Sequence, residues 1–467
     1  MSPTVAIIGA GMGGLTAALR LARQGFRVRV FEAGATAGGL ASGIEIEGIP
    51  FDAGPYILLD RDGLEWSFER LDLNLADSIT LKRIEHVYQV EVEDGSALRI
   101  LADLDRTADG FESQWPGSGI RYRRFVKAAA RIHQRLRSML YVSRPTPALL
   151  LRSGAWMHMG FLLRSLESVL RRAQLPQPVV EALGIWTHVA GQSLAQAPSP
   201  LAFVPALIHT TGAFYPVEGI GAIPLALERS ARAAGVEFHY GVTVRGIKCK
   251  DGRANGIETS QGDYIPADAV LSNYSGIGTY LDLAEAPQAV RDRLQRLPLQ
   301  SPGVCAYLAV RNPSPDMYLR FLLPGGGERC RLLVTPSAVS PEAKRDGWWP
   351  ARLIAPMQYS DAELGPGRQR EFLERVLVEK WWRRHVGEHK LLATRTPREW
   401  SVKHNLYRES MNPVMTSRFM RAGRLAHRSP WVKGLYLAGS STHPGQWVSF
   451  CAISGILAAD KLCEDFA

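Results

Sequence analysis

Cysteine is scarce in this chain of 467 residues and follows no regular spacing. The sequence has no C-x-x-C pair, and its cysteines are Cys249, Cys305, Cys330, Cys451 and Cys463. A disulfide scaffold or a structural zinc site needs partners at short, recurrent intervals, so this distribution argues against both. We therefore expect a protein of a reducing cytoplasm that binds no metal.

Long hydrophobic runs are also missing. The most continuous one, within residues 155–163, has about nine residues, which is too short to span a bilayer. The first glycine motif begins at Gly9, and no basic segment followed by an apolar stretch precedes it. We therefore expect no cleaved signal peptide.

The sequence shows no signature of a catalytic group carried by the protein itself. It contains no G-x-S-x-G nucleophile motif, no H-E-x-x-H zinc motif and no pair of carboxylates at an informative spacing. Of the 11 histidines, only His443 lies inside a motif. This absence favours a bound cofactor as the source of the chemistry.

Positive charge is in excess, with 55 lysines and arginines against 45 acidic residues and a net charge of +10. In residues 121–140 basic and apolar side chains follow helical periodicity, and residues 148–172 continue with an apolar segment that ends in two arginines. One interpretation is a region that lies on an anionic membrane surface. The other interpretation is a pair of helices buried in the domain core. The excess of arginine then reflects the base composition of the genome rather than a binding surface. No nucleic-acid-binding module is visible, so we expect no such partner.

The most informative stretch is Val5–Gly14, a short apolar strand that leads into Gly9-x-Gly11-x-x-Gly14 and then a helical pattern. Gly9 permits a tight turn, Gly11 lets the backbone approach a pyrophosphate, and Gly14 allows close packing of helix on strand. The N-terminus of the helix offers free N–H groups to phosphate oxygens. This pattern is typical of a dinucleotide-binding turn.

The second predicted strand ends in an acidic residue, as in dinucleotide-binding units. Residues 27–31 form an apolar strand that ends at Glu32, 18 residues after Gly14. A carboxylate at this position binds ribose hydroxyls in dinucleotide-binding units. Gly25 is placed to end the intervening helix. The sequence therefore predicts a nucleotide-binding βαβ unit at the start of the chain.

Further glycine-containing motifs lie in the early, middle and late parts of the chain. They are Ala37-Gly-Gly-Leu-Ala41, Phe51-Asp-Ala-Gly-Pro55, the stretch 214–224 with Gly219 and Gly221, and the stretch 434–446. The last reads as a buried strand that breaks at Gly439, before a helix predicted over 448–463.

In this order, the motifs resemble the flavin-dependent oxidoreductases of the phytoene desaturase type, within the larger class of amine and protoporphyrinogen oxidases. The resemblance implies an α/β fold with a discontinuous Rossmann-like FAD-binding domain and a second α+β substrate domain. It places the FAD-binding domain in residues 1–75, 212–285 and 425–467. The substrate or membrane-associated domain then comprises residues 76–211 and 286–424.

The resemblance also implies a non-covalently bound FAD, because no histidine or cysteine lies at a familiar attachment position. In the family, the residue that matches Val244 lies against the adenine ring. The expected FAD contacts are Gly9, Gly11, Met12, Gly13, Gly14, Glu32, Ala33, Gly38, Gly39, Leu40, Gly54, Pro55, Val244, Gly439, Ser440, Gly445, Trp447 and Val448. No acid or base can be assigned, and the candidates beside the flavin are His443, Gln446 and Trp447.

The implied activity is that of an FAD-dependent desaturase or dehydrogenase acting on a hydrophobic polyene or isoprenoid lipid, such as a carotenoid precursor, with hydride transfer to flavin N5. Oxygen or a quinone is the expected electron acceptor. The alternatives are a carotenoid isomerase, a hydroxysqualene-type dehydroxylase, an amine or porphyrinogen oxidase, and a non-enzymatic prenyl-lipid escort of the GDP-dissociation-inhibitor type. We expect a cytoplasmic protein, peripheral at the inner face of the membrane if its basic region binds lipid.

Two positions depart from the family pattern. Leu40 and Ala41 stand where many relatives carry arginine after the glycine pair. Gln446–Phe450 replaces a loop of small residues, and its Trp447 is expected to crowd the pocket beside the flavin. The departures leave the substrate, and the choice between desaturation and isomerisation, open.

A lipophilic substrate requires a long apolar tunnel, because it offers almost nothing to hydrogen-bond. Residues 370–384 predict a helix, and we expect Trp381 and Trp382 to pack in the core rather than take part in chemistry. The candidate walls of the tunnel, each equally typical of an ordinary core, are Leu201–Ile208, Phe161–Leu163 and Phe321–Leu323.

Overall fold

Strands and helices alternate along the chain. A computed structural model describes residues 2–92 and 95–467. The strands of these residues are β1 Thr4–Ile8, β2 Arg27–Glu32, β3 Gly43–Ile46, β4 Ile49–Asp52, β5 Leu81–Arg83, β6 His86–Val92, β7 Ala97–Leu101, β8 Phe214–Pro216, β9 Glu237–Tyr240, β10 Val244–Lys250, β11 Arg253–Thr259, β12 Tyr264–Pro266, β13 Ala269–Ser272, β14 Leu299–Gln300, β15 Val304–Arg311, β16 Leu319–Leu323, β17 Arg331–Val334, β18 Trp349–Ala355, β19 Glu388–Arg395, β20 Asn412–Pro413 and β21 Leu435–Leu437.

The helices lie between these strands and at the C-terminus. In the same residues they are α1 Met12–Arg23, α2 Arg61–Arg70, α3 Leu75–Ser78, α4 Leu104–Gln114, α5 Ser118–Leu136, α6 Pro147–Arg152, α7 Met159–Leu162, α8 Leu166–Arg172, α9 Gln177–Val189, α10 Phe203–Thr210, α11 Ala222–Ala233, α12 Gly276–Gly278, α13 Gln288–Gln295, α14 Tyr359–Ala362, α15 Pro366–Val378, α16 Arg383–Val386, α17 Pro397–His404, α18 Ser417–Ala422 and α19 Val448–Phe466.

A parallel sheet collects strands from three distant parts of the chain. Its order is β21-β13-β1-β2-β9, and every neighbouring pair is parallel. The apolar run Val5–Ile8 is buried, as is typical of a strand covered on both faces. This sheet confirms the Rossmann-like fold class. The domain boundaries stay a prediction.

Helix α1 lies directly against the C-terminal helix α19. A Cβ on Gly455 would lie 2.1 Å from both the carbonyl oxygen of Gly13 and Oγ1 of Thr16. The Thr16 hydroxyl also donates a hydrogen bond of 2.9 Å to the carbonyl oxygen of Ala452. This contact fixes the start of α19 relative to the glycine motif.

Replacing Gly455 by alanine is expected to lower the free energy of unfolding by about 1 to 3 kcal/mol, because the backbone of α1 must move to admit a methyl group. Gly110 in α4 is a matched control, since a Cβ built on it meets no atom within 4 Å. Gly110→Ala should instead stabilise by about 0.4 to 1 kcal/mol, since alanine restricts the unfolded chain. Urea unfolding of both variants measures the difference. A midpoint for Gly455→Ala at or above that of the wild type contradicts the close contact.

A second, mixed sheet forms the other half of the fold. Its order is β19-β15-β18-β17-β16-β6-β7, in which β16 and β6 are parallel. Trp381 and Trp382 are buried against one face, as predicted. The predicted helix over 370–384 is too long: α15 ends at Val378, because Glu379 adopts an extended backbone, and both tryptophans precede α16.

The basic region begins with a long helix and then breaks into short ones. Helix α5 confirms the helix predicted within 121–140. Residues 147–172 form α6, α7 and α8 with turns between them, and Gly154 takes a left-handed backbone at φ 69°. Among the described residues we find no helix with the length and apolarity needed to cross a membrane.

Candidate functional site

A cavity of about 730 Å³ lies at the carboxyl ends of the parallel strands. One wall consists of residues that end or follow β1, β2, β13 and β21. The other includes residues of the second sheet and of α9 and α10. Ligands of open α/β sheets bind at this edge, in the crevice outside the strand ends. The cavity is therefore the candidate site.

Most residues predicted from the motifs line this cavity. They are Gly9, Gly11, Met12, Gly13, Glu32, Ala33, Gly38, Gly39, Leu40, Gly54, Pro55, Val244, Gly439, Ser440, Gln446, Trp447 and Val448. The structure brings together segments that are far apart in the chain, as the order of the motifs predicts.

The side chain of Asn273 lies at the centre of the glycine turns, and sequence reasoning gave it no role. A Cβ on Gly11 would lie 2.7 Å from its Nδ2, and a Cβ on Gly13 would lie 2.6 Å from its Oδ1. Gly439, with φ near +90°, approaches the same amide at 2.7 Å. A side chain at any of these positions would require the Asn273 amide to move, and the positive φ of Gly439 also favours glycine. The only signal in the sequence was that Asn273 follows directly on an apolar strand, β13; the pairing of β13 with β1 is seen in the structure alone.

Glu32 connects the end of β2 to the turn after β1. One carboxylate oxygen accepts a hydrogen bond from the backbone N–H of Ala10, and the other accepts one from Gly34, both at 2.7 Å. The side chain is partly buried and lines the cavity. A carboxylate has about four acceptor positions, so Glu32 can still accept hydroxyl donors from a ligand.

Two loops close one side of the cavity by packing on each other. Gly38 and Gly39 have φ values of 113° and 54°, which favour glycine, and the N–H of Gly38 donates to the carbonyl oxygen of Ala10 at 2.8 Å. A Cβ on Gly54 would lie 2.4 Å from the carbonyl oxygen of Leu40. Gly38 and Gly39 are thus favoured by their backbone conformation, and Gly54 is required by close packing on Leu40.

The first turn of α19 faces the cavity with an aromatic side chain. Trp447 is the N-cap residue, and its ring stacks on Phe450 with centroids 4.8 Å apart. Nearby, Asn412 donates to Gln446 at 3.3 Å and accepts from the hydroxyl of Ser440 at 2.7 Å. The side chain of Trp447 makes no capping hydrogen bond. The first N–H groups of α19 are therefore available to an anionic ligand group.

A buried charge supports the loop at Gly54 from behind. Arg352 of β18 is 3% exposed and donates to the carbonyl oxygens of Gly54 and Pro55 at 3.1 and 3.3 Å. Asp52 is also buried, and it accepts hydrogen bonds from Tyr215 and from the N–H of Ile220. Burial raises the pKa of Asp52, and the positive charge of Arg352 opposes that rise. The two charges help to order one wall of the cavity.

Comparison with known proteins identifies the family. The profile described as flavin containing amine oxidoreductase matches residues 12–305, more than half of the chain. The chain belongs to the flavin-containing amine oxidoreductase family. Its cofactor is accordingly a flavin, and the predicted resemblance to flavin-dependent oxidoreductases is confirmed.

Curated relatives of this family member match nearly its whole length. It is 28% identical to a zeta-carotene-forming phytoene desaturase of Myxococcus xanthus, over 98% of this chain and 93% of the relative. It is 26% identical to a 4,4'-diapolycopene oxygenase of a Methylomonas species, over 99% and 98% of the two chains. These relatives confirm a carotenoid-desaturase type of flavin oxidoreductase, and therefore an enzyme. They do not favour the isomerase, dehydroxylase, amine or porphyrinogen oxidase alternatives.

Solved structures support the fold. An oxidoreductase from Methanosarcina mazei superposes with a TM-score of 0.72 at 17% identity, covering 98% of this chain and all of the other. A putrescine oxidase superposes with a TM-score of 0.64 at 15% identity, covering 99% of both chains. Together with the two sheets, they confirm an amine-oxidase-like fold with a second domain.

Three predicted residues lie outside the cavity lining of this flavin oxidoreductase. Gly14 packs against the strand, since a Cβ there would lie 2.1 Å from the carbonyl oxygen of Gly9. Gly445 lies behind the cavity, beside Arg424. His443 is turned away: its Nε2 is 2.7 Å from the carbonyl oxygen of Met139, and burial lowers its pKa to about 4. The structure therefore does not bring His443 to the reacting centre.

Only one of the three segments predicted to wall an apolar tunnel contributes to the cavity. From Leu201–Ile208, the side chains of Leu201 and Val204 reach the cavity. Phe161–Leu163 and Phe321–Leu323 contribute no lining residue, and Phe161 and Phe321 are buried in the core instead. Trp186 and Val189 of α9, with Ala190 directly after it, complete this wall, and sequence reasoning missed them because the helix is apolar on most sides.

Proposed function

We propose that this chain is an FAD-dependent desaturase that removes two hydrogens from a hydrophobic polyene or isoprenoid lipid. The observation that supports this proposal most directly is that the glycine turns and an apolar wall line one continuous cavity. The names of the curated relatives, a phytoene desaturase and a diapolycopene oxygenase, support a polyene substrate. A carotenoid precursor is the substrate class that fits best.

The residues at the strand ends suit a dinucleotide. Glu32 is placed to accept ribose hydroxyls. Gly11 and Gly439 line the cavity without side chains of their own, so their backbone can approach a pyrophosphate. Val244 lines the cavity two residues after Val242, whose N–H donates to the carbonyl oxygen of Glu32 at 3.0 Å, and we place the adenine there. The start of α19 and the Gly54 loop also line the cavity, and we place the flavin ring beside them. A mononucleotide would leave the Val244 end without a ligand, and this supports FAD.

The chemistry of desaturation belongs to the cofactor, which accepts a hydride at N5 when bound. The protein supplies the shape of the cavity and excludes water from it. Leu201, Val204 and Trp186 hold an apolar chain in the cavity, and Trp447 restricts the space beside the first turn of α19. Gln446 remains a candidate for contact with the substrate or the flavin. We propose oxygen or a quinone as the electron acceptor.

The test is an anaerobic incubation of the purified protein with polyene and isoprenoid lipids, with flavin absorbance and product mass followed together. Bleaching of the flavin with loss of two hydrogens is the expected result. An unchanged mass indicates isomerisation, and loss of oxygen indicates dehydroxylation. The FAD assignment is tested separately, by denaturing the protein and identifying the released nucleotide. If the denatured protein releases no FAD, the assignment of FAD as the cofactor is wrong.

We also propose that the region from α5 to α8 binds an anionic membrane surface, at the inner face of the membrane. Five large apolar side chains in it are more than half exposed: Ile120, Leu151, Trp156, Met157 and Leu163. The same region carries exposed cations, namely Arg124, Lys127, Arg131, Arg135, Arg144, Arg152, Arg171 and Arg172. Apolar side chains flanked by arginine and lysine are typical of interfacial segments.

Replacing Leu151 and Trp156 together by serine is expected to weaken binding to anionic vesicles at least about tenfold, since each apolar side chain contributes about 1.5 to 3 kcal/mol when fully buried. Leu364→Ser is the matched control, because Leu364 is equally exposed but lies outside the region. Vesicle flotation at low salt measures both variants. Equal flotation of all three proteins, or none for the wild type, contradicts the membrane proposal.

A further inference from the structure

Arg395 is a buried arginine whose guanidinium faces an aromatic ring rather than an acid. It ends β19, is 8% exposed and lines the cavity. Its guanidinium carbon lies 4.2 Å from the ring centroid of Trp400. Its Nε is buried without a hydrogen-bond partner. Within the part of the chain that the structure describes, no carboxylate lies within ion-pair distance of Arg395.

Arg352, the second arginine of this wall, has the hydrogen-bond acceptors and the countercharge that Arg395 lacks. Arg352 and Arg395 lie on strands that both pair with β15, opposite Tyr307 and Cys305 respectively, and so face the same side of the sheet. Arg352 donates to two backbone carbonyls and has Asp52 as its countercharge. Arg395 has neither kind of partner in the described residues. A buried polar atom such as Nε is costly without a hydrogen-bond partner, so a ligand group in the cavity is the expected partner of this guanidinium.

His404 adds a second unpartnered polar group at the same place. It ends α17, its ring packs on Trp400 with centroids 4.0 Å apart, and its Nε2 is buried without a hydrogen bond. Burial and the nearby charges of Lys403 and Arg395 lower its pKa to about 4, so the ring is neutral near pH 7. A neutral imidazole can donate one hydrogen bond to an oxygen atom.

We infer that Arg395, with His404 beside it, binds a carboxylate at one end of an otherwise apolar substrate. A guanidinium is the side chain best suited to a carboxylate, because its N–H groups match the two oxygens. The apolar wall at Trp186, Leu201 and Val204 belongs to the same cavity and receives the hydrocarbon part. The inference rests on the proposed function and narrows its substrate class to lipids with an acidic end. The alternative partner of Arg395 is an oxygen atom of the flavin ring, when the flavin is bound.

The experiment uses the flavin-loaded protein and three probes: retinoic acid, its methyl ester and the hydrocarbon squalene. Dissociation constants are measured by fluorescence quenching, and the flavin reduction potential is measured in parallel. The wild type is expected to bind the acid about tenfold or more tightly than the ester, as a charge-assisted contact predicts. Arg395→Met should remove this preference without changing the affinity for the ester, the flavin content or the potential. Arg395→Lys should restore part of it.

Arg229→Met serves as the control for loss of one positive charge, since Arg229 is exposed on α11, and it should keep the preference. Equal affinity of the wild type for acid and ester overturns the inference but leaves the proposed function standing. A shifted flavin potential in Arg395→Met, with the preference intact, also overturns it and assigns Arg395 to the flavin. Failure of the wild type to bind any probe overturns both proposals.

Discussion

Glu32→Gln is expected to weaken FAD retention about 10- to 150-fold, which corresponds to about 1.5 to 3 kcal/mol for hydrogen bonds to a charged acceptor. The substitution keeps the size of the side chain but removes the charge. It also replaces one acceptor oxygen by a donor, which cannot accept from the N–H of Ala10 or Gly34 as the carboxylate does. Ribose hydroxyls then lose an acceptor, and the turn loses one of its ties.

The two effects of Glu32→Gln can be separated by measuring the apoprotein as well. FAD affinity is obtained by fluorescence titration, and the melting temperature of the apoprotein reports on the turn alone. Glu45→Gln is the matched control, because Glu45 lies exposed on β3 and away from the cavity lining. Unchanged FAD affinity in Glu32→Gln, with a lowered melting temperature, would falsify the ribose role and leave Glu32 as a structural acceptor.

Local sequence patterns were sufficient for the first βαβ unit. The alternation of β1, the glycine motif, α1 and β2 depends on residues within one short stretch, where turn sterics and helix periodicity decide the conformation. The same holds for α5, for which a basic and an apolar face predict the helix. The late motif has no local signal that places it near the first, and only the resemblance to the phytoene desaturase type implies that the two lie together.

Residues whose environment depends on distant strands could not be predicted. Asn273 acquires its position only when β13 pairs with β1 and β21 pairs with β13. Arg352 and Arg395 face the cavity because of the register of β18 and β19 on β15, which no local pattern specifies. His443 was singled out because of its motif, but tertiary packing turned it toward Met139.

Arg352→Met is expected to lower the free energy of unfolding by about 3 to 5 kcal/mol near pH 7, the usual cost of leaving a buried charge unpaired. The variant keeps the apolar stem but leaves the carbonyl oxygens of Gly54 and Pro55 without their donors. It also leaves Asp52 buried with no cation among the charges that act on it in the described residues. Because the Gly54 loop lines the cavity, flavin binding should weaken as well.

The pH dependence identifies Asp52 as the cause. Burial already raises the pKa of Asp52 above its ordinary value, and removal of Arg352 raises it further. A group whose pKa is higher in the folded state binds a proton on folding, so its contribution to stability falls as the pH rises through that interval. The deficit of Arg352→Met relative to the wild type should therefore be largest at about pH 8 and shrink toward about pH 5. The double variant Arg352→Met/Asp52→Asn should recover part of the stability and lose the pH dependence. A deficit that is constant from pH 5 to pH 8, and unchanged in the double variant, shows that the lost carbonyl contacts alone are responsible.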